Sequence, residues 1–276
     1  MNSGHSAGSG GLEIDVVSGQ SAVVSTWASS PLKLLIPRSR GPSVLAYLSS
    51  FGGGFVAGDE TSLRLRLGPA ARAVVTTQAS TKIYRNPELR PCGHRLAANL
   101  DDGSLLVLIP EPIQAFAGSS YTQRQQFHLQ TGAGLILVDW FCSGRAACGE
   151  RWAFTRLRSS NQIFINGQRT LVDSLLLDPA HGPLDHPHRL GRFNCLAMIV
   201  LVGNALEKYA GRLLAGANAS PMQTRRASLL VTGSPIEGGA LVRVAGEQVE
   251  EVSREIRRLL AFVSEILEDD PWIRKS

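Results

Sequence analysis

Three groups of residues carry types and spacings that could do chemistry. The first is SSFGGGFVAGDE, Ser49 to Glu60, where four glycines precede an acidic pair. Glycine-rich loops cradle phosphates, but a P-loop needs a lysine and a hydroxyl directly after its glycines. A dinucleotide fingerprint needs a helix there, so that the helix N-terminus meets the pyrophosphate. This stretch has no such lysine, and the TSLRLRLG that follows it alternates like a strand. Nucleotide binding is therefore disfavoured. Close approach of two backbones accounts for the glycines, with Asp59 capping the bend.

The second group is HGPLDHPH, which holds His181, Asp185, His186 and His188. Imidazole and carboxylate ligands suit nickel or zinc, and the prolines equally suit a solvated loop. The third is the cysteine set, at 92, 142, 148 and 195. It forms no CxxC ligand pair and no dense disulfide framework, and small half-buried thiols explain Cys142 and Cys148. No HExxH helix or GxSxG elbow is present. Nothing marks an enzyme.

Two polar strings fit a scaffold less well. TTQASTKIYR, Thr76 to Arg85, follows an apolar strand directly, and PEPIQAFAGSSYTQRQ holds Glu111 between Pro110 and Pro112. Buried polar groups must be hydrogen-bonded, so these strings imply an internal network, a shaped surface or the lining of a water-filled passage.

The elements that position these residues are mostly strands. The chain has 276 residues, 43% apolar and 18% charged, enough for one large ordered domain. Its 28 basic residues against 23 acidic ones give a modest +5, spread along the chain, so nucleic acid is not an expected partner. Residues 1–13 lack the basic and apolar regions of a signal peptide and read as a disordered tail. The longest apolar run, Cys195 to Gly203, is too short to span a bilayer, so a cytosolic protein with free thiols and no membrane partner is expected.

From Leu12 to Ile165 short β-prone runs are divided by turns. Leu63, Leu65 and Leu67 alternate with Arg64 and Arg66, the period of a strand with one wet face. Gly68-Pro69 turns the chain into a strand over Arg72 to Thr77. Hairpins are expected around DDG, around TGAG, and at Asn166-Gly167. The absence of helical periods here argues against a doubly wound fold and for a mostly antiparallel, layered or helical β architecture.

The last third mixes helix and hairpin. A short helix is expected over Asn204 to Ala215 and a hairpin over Leu229 to Val244. From Glu247 to Glu268 apolar residues recur at three- and four-residue steps, an amphipathic helix that covers a β core.

Taken in order, SSPLKLLIPR, GGGFVAGD, TTQASTKIYR, LIPEPIQAFAGSSYTQ, DWFCSGRAACGERW, LLLDP and PWIRKS resemble the urease accessory protein D family, called H in some species. The likeness covers nearly the whole chain. It implies a single domain over 14–276, β-rich to about residue 200, with long antiparallel ladders and a few C-terminal helices. It further implies a nickel-delivery scaffold rather than an enzyme. Such a scaffold binds urease accessory protein F, recruits the GTPase accessory protein G, docks on apo-urease and passes Ni²⁺ transiently, without a tightly bound cofactor.

By motif position, the resemblance puts Asp59 and Glu111 on the nickel path, with Thr76, Thr77, Gln78, Lys82, Tyr84, Arg85, Arg145 and Glu150 in the polar motifs. His186 and His188 are the remaining metal candidates. Cys148 stands where family members often have arginine, and Ala115 where many have proline.

Overall fold

A computed structural model describes residues 6–38, 41–219 and 226–272. The expected tail over 1–5 and the last four residues of PWIRKS lie outside them. The described residues form eighteen strands and three α-helices. The strands begin with β1 (Ser9–Val17), β2 (Gln20–Ala28), β3 (Leu32–Leu35), β4 (Val44–Ser50), β5 (Gly54–Phe55) and β6 (Glu60–Leu67). They continue with β7 (Arg72–Thr77), β8 (Thr81–Ile83), β9 (Gly93–Leu100), β10 (Leu105–Leu108), β11 (Ile113–Ala115) and β12 (Ser120–Leu129). Last come β13 (Gly134–Cys142), β14 (Arg156–Ile165), β15 (Gln168–Leu177), β16 (Cys195–Val202), β17 (Leu229–Ile236) and β18 (Gly239–Gly246).

The chain winds as a β-solenoid. Strands β4, β7, β10 and β13 stack in parallel as one wall, and β6, β9, β12 and β14 as the opposite wall. Short strands β5, β8 and β11 make a third, narrow side. This corrects the expected antiparallel character, which holds only at the flanks. DDG and TGAG do not close hairpins: β9 and β10 belong to different sheets, as do β12 and β13. The turn amides bond to the coil below instead, Asp101 N–H to the Leu67 carbonyl and Gln130 N–H to the Leu100 carbonyl, each at 2.9 Å. Stacked corners thus replace hairpin pairing. The hairpins at Asn166-Gly167 and over β17–β18 form as expected.

Alternation places the core. Val44, Ala73, Leu106 and Leu135 fall in register on one wall, and Leu65, Ala98, Phe127 and Ile163 on the other. All eight point inward and are buried. The outer face of the first wall is buried too, under α1 (Glu207–Asn218), α2 (Val249–Leu259) and α3 (Val263–Leu267). Every residue of β13 is buried, as expected for a parallel strand covered on both sides. The expected six-turn helix is two helices. The backbone leaves α2 at Leu260, and the bend keeps Leu260, Phe262, Val263 and Leu267 in the same apolar layer.

The N-terminal segment is ordered earlier than its glycines suggested. Strand β1 starts at Ser9 and pairs with β2 and β6. Its glycines are there for lack of room: a Cβ on Gly10 would press on Leu32 at 2.7 Å, and one on Gly11 would overlap the Trp27 ring.

The glycine-rich stretch folds as a backbone contact. Gly54 pairs with Lys82, and a Cβ there would overlap the Lys82 carbonyl and lie 2.8 Å from the Tyr84 ring. Gly54→Ala is expected to lower stability by about 1–3 kcal/mol through overpacking, read as a fall in Tm. An unchanged Tm would mean that the two strands are not in such close contact.

Candidate functional site

The inward faces of the second wall change chemistry along their length. At one end they are leucine, alanine and phenylalanine. At the other, Thr61, His94, Gln123 and Ser159 fall in register, beside Gln125 and Asn161. Residues of both walls and of the narrow side line a cavity of about 240 Å³ at this end.

Asp139 of β13 enters this region from the first wall and is 3% exposed. Gln123 Nε2 donates to its Oδ1 at 2.8 Å, and Ser159 Oγ (2.7 Å) and Asn161 Nδ2 (2.8 Å) donate to its Oδ2. Burial nevertheless pushes the Asp139 carboxyl above the ordinary carboxylate range, because three hydrogen bonds do not offset the loss of water. An ionised carboxylate offers about four lone-pair directions, so in that form one on Oδ1 is not used by these three bonds. His94 shares its Nδ1 with the Thr61 hydroxyl at 2.7 Å, while its buried Nε2 has no partner among the described residues. Burial lowers the His94 pKa to about 4, which keeps the ring neutral near pH 7.

The motif strings build the rim. The Thr77 hydroxyl accepts from the Glu111 N–H at 2.8 Å, and Trp140 Nε1 donates to the Pro110 carbonyl at 2.8 Å. These bonds fix the PEP segment so that Glu111, Thr77 and Gln78 line the cavity. Thr76 is buried and structural, its hydroxyl bonded to the Ile109 carbonyl at 2.7 Å.

Other expected site residues lie elsewhere. Asp59 does not line this cavity; its Oδ2 accepts from the Val56 N–H at 2.9 Å and caps its own turn. Lys82 is exposed on β8. Tyr84, Arg85, Arg145 and Glu150 meet in a separate open cleft of about 500 Å³, together with Phe116. Arg145 clasps Glu150 with two donors, Nε at 3.0 Å, and its guanidinium lies 4.7 Å from the Phe116 ring centroid. The Arg145 hydrogen bonds hold the Glu150 carboxyl below its usual range.

His186 and His188 are exposed, with ring centroids 5.3 Å apart. Among the described residues no three His, Cys, Asp or Glu side chains come together to hold a metal. The four thiols are free, and Cys142 and Cys195 face each other on β13 and β16 at 3.7 Å.

The family model for the UreD urease accessory protein matches residues 6–274. The chain belongs to the UreD family. It is 46% identical over 270 residues to urease accessory protein UreD of Sorangium cellulosum, covering 98% of this chain and 84% of that one. The corresponding protein of an Anaeromyxobacter strain is 42% identical, covering 97% and 89%. Urease accessory protein D of rice, Oryza sativa subsp. indica, is 30% identical, covering 96% and 95%. UreD proteins serve urease maturation as accessory proteins, not as catalysts.

Within this UreD fold the family's motifs divide between two places. TTQ and PEP shape the cavity rim, whereas YR and GR…GE shape the outer cleft. Sequence reading missed Asp139, His94 and Gln123. The available signal was in TQRQQF, where Gln123 and Gln125 occupy inward positions of a strand whose other inward residues are Tyr121, Phe127 and Leu129.

Proposed function

We propose that this UreD chain is a maturation scaffold in the cytoplasm that binds accessory protein F, recruits the GTPase accessory protein G and lets nickel reach apo-urease through the polar cavity. The carrying observation is Asp139, a buried carboxyl group on the wall of a cavity that a neutral imidazole, His94, and Glu111 also line. Ni²⁺ accepts oxygen and imidazole ligands. A conducting site must hold its ion weakly enough to release it, and two sparse carboxylates in a space wide enough for waters meet that demand. A closed ligand cage would trap the ion.

Asp59, in this reading, fixes the turn beside Gly53 and Phe55, two residues of the cavity wall. The exposed histidines, with no third ligand beside them among the described residues, are left out of the path.

The test is a plug. Ala79 is exposed and lines the cavity, so Ala79→Trp narrows the rim without touching the core. The variant is expected to co-purify normally with protein F, protein G and apo-urease, but to activate urease poorly in a nickel-limited assay. Full activation by the plugged complex would mean that the chain is an adaptor and that nickel travels elsewhere.

A further inference from the structure

The two walls of the solenoid are treated differently. Helices cover the outer face of one, while the outer face of the β6–β9–β12–β14 wall is open, as its alternating buried and exposed residues show. Across this open face runs a row of arginines, one per strand: Arg64, Arg95, Arg124 and Arg158. Arg95 and Arg124 are directly in register, and Arg64 and Arg158 sit one outward position to either side. Neighbouring strands are about 4.8 Å apart, so the four cations are crowded.

Like charges directly opposite each other destabilise a sheet. Glu60 offsets Arg95 with an ion pair at 3.4 Å. Arg64, Arg124 and Arg158 have no ion pair among the described residues and are exposed. The row ends at apolar residues: Leu176 lies opposite Arg158 and Val172 opposite Gln162, and they are 47% and 50% exposed. Exposed aliphatics beside unpaired arginines on a rigid sheet have the composition of a protein interface.

We infer that this open face is a docking surface for a carboxylate-bearing face of a folded protein partner, with apo-urease as the occupant. Carboxylates would neutralise the row and relieve the Arg95–Arg124 repulsion, while Val172 and Leu176 give the contact an apolar anchor. A nucleic acid or lipid headgroup would use the cations but leave the two aliphatic side chains idle. The inference rests on the maturation reading for its partner and adds the surface.

The experiment compares wild type with the triple variant Arg64→Glu, Arg124→Glu, Arg158→Glu, each loaded with proteins F and G, for binding to purified apo-urease over a range of salt. Wild-type binding is expected to weaken with salt, and the triple variant to bind about tenfold or more weakly at low salt. Val172→Ser with Leu176→Ser is expected to weaken binding with the salt slope retained. Arg124→Gln alone removes the in-register repulsion and should leave Tm unchanged or higher, which separates lost docking from lost folding.

Binding of the triple variant equal to wild type would overturn the inference alone. A wild-type complex that fails to bind apo-urease at any salt would overturn the maturation reading with it. Reversal that abolishes binding to duplex DNA or phosphatidylserine vesicles, but not to apo-urease, would assign the face to a polyanion instead.

Discussion

Asp139→Asn is expected to lower urease activation about tenfold or more, the scale on which loss of one metal-orienting group acts, while the complex still assembles. Asparagine keeps the shape of the side chain but removes the charge and the second acceptor oxygen. The same variant should change how stability depends on pH. The folded-state pKa of Asp139 is raised above the ordinary value of 3.8, so the native state holds its proton over a range where the unfolded chain has lost it. The resulting penalty is absent below the unfolded pKa, grows as pH rises, and is complete above the folded pKa. Asp139→Asn removes that titration. Thermal unfolding across the acid-to-neutral range should therefore show a smaller decline with rising pH in the variant than in wild type.

Activation by wild type should also fall as Asp139 takes up its proton, whereas residual activation by the variant should not follow that titration. Equal activation by both proteins would remove Asp139 from the nickel path. An unaltered pH profile of stability would show that the carboxyl is not desolvated.

Phe127→Ala is expected to cost about 3–5 kcal/mol, the range for truncating a buried aromatic. Phe127 is 0% exposed and lies between Ala98 and Ile163 in register. The small side chain of Ala98 leaves the space that the ring fills, and neighbouring strands held by parallel ladders on both sides cannot collapse into the void. Natural domains are stable by only about 5–15 kcal/mol, so the loss should appear as a large fall in Tm and in soluble yield. A Tm near the wild-type value would mean that the interior repacks freely.

What the sequence disclosed and what it hid have separate physical causes. The strands over Glu60–Leu67 and Arg72–Thr77 were legible because Leu63, Leu65 and Leu67 alternate with exposed or half-buried partners and Gly68-Pro69 ends the run. Alternation reveals which side chains share a face, however, not which strand lies alongside. DDG and TGAG therefore looked like hairpin turns, although each turns the chain onto the opposite wall. Parallel stacking is written in distant matches, such as Leu65 with Ala98 and Phe127, that no local pattern contains.

The site divides in the same way. The rim was visible as polar strings, because exposed and half-exposed polar residues depart from a core pattern. Asp139 was hidden inside LILVDWF, a fully buried run in which a single carboxylate has no local partner: its three donors come from β12 and β14. Family resemblance marked Asp59 and Glu111 by motif, and of the two only Glu111 lines the cavity.

A stack of parallel coils has no inherent stop, since the last coil presents the same edge that accepted it. Here the chain reverses direction at each end: β2 runs against β1, β3 against β4, β15 against β14 and β16 against β13. A second molecule placed coil on coil would meet reversed strands, so it could not continue the parallel winding in register. The reversals also fix a ruler. One parallel wall is four strands long and the other five, counting β1 beside β6, so the interior they enclose has a set length.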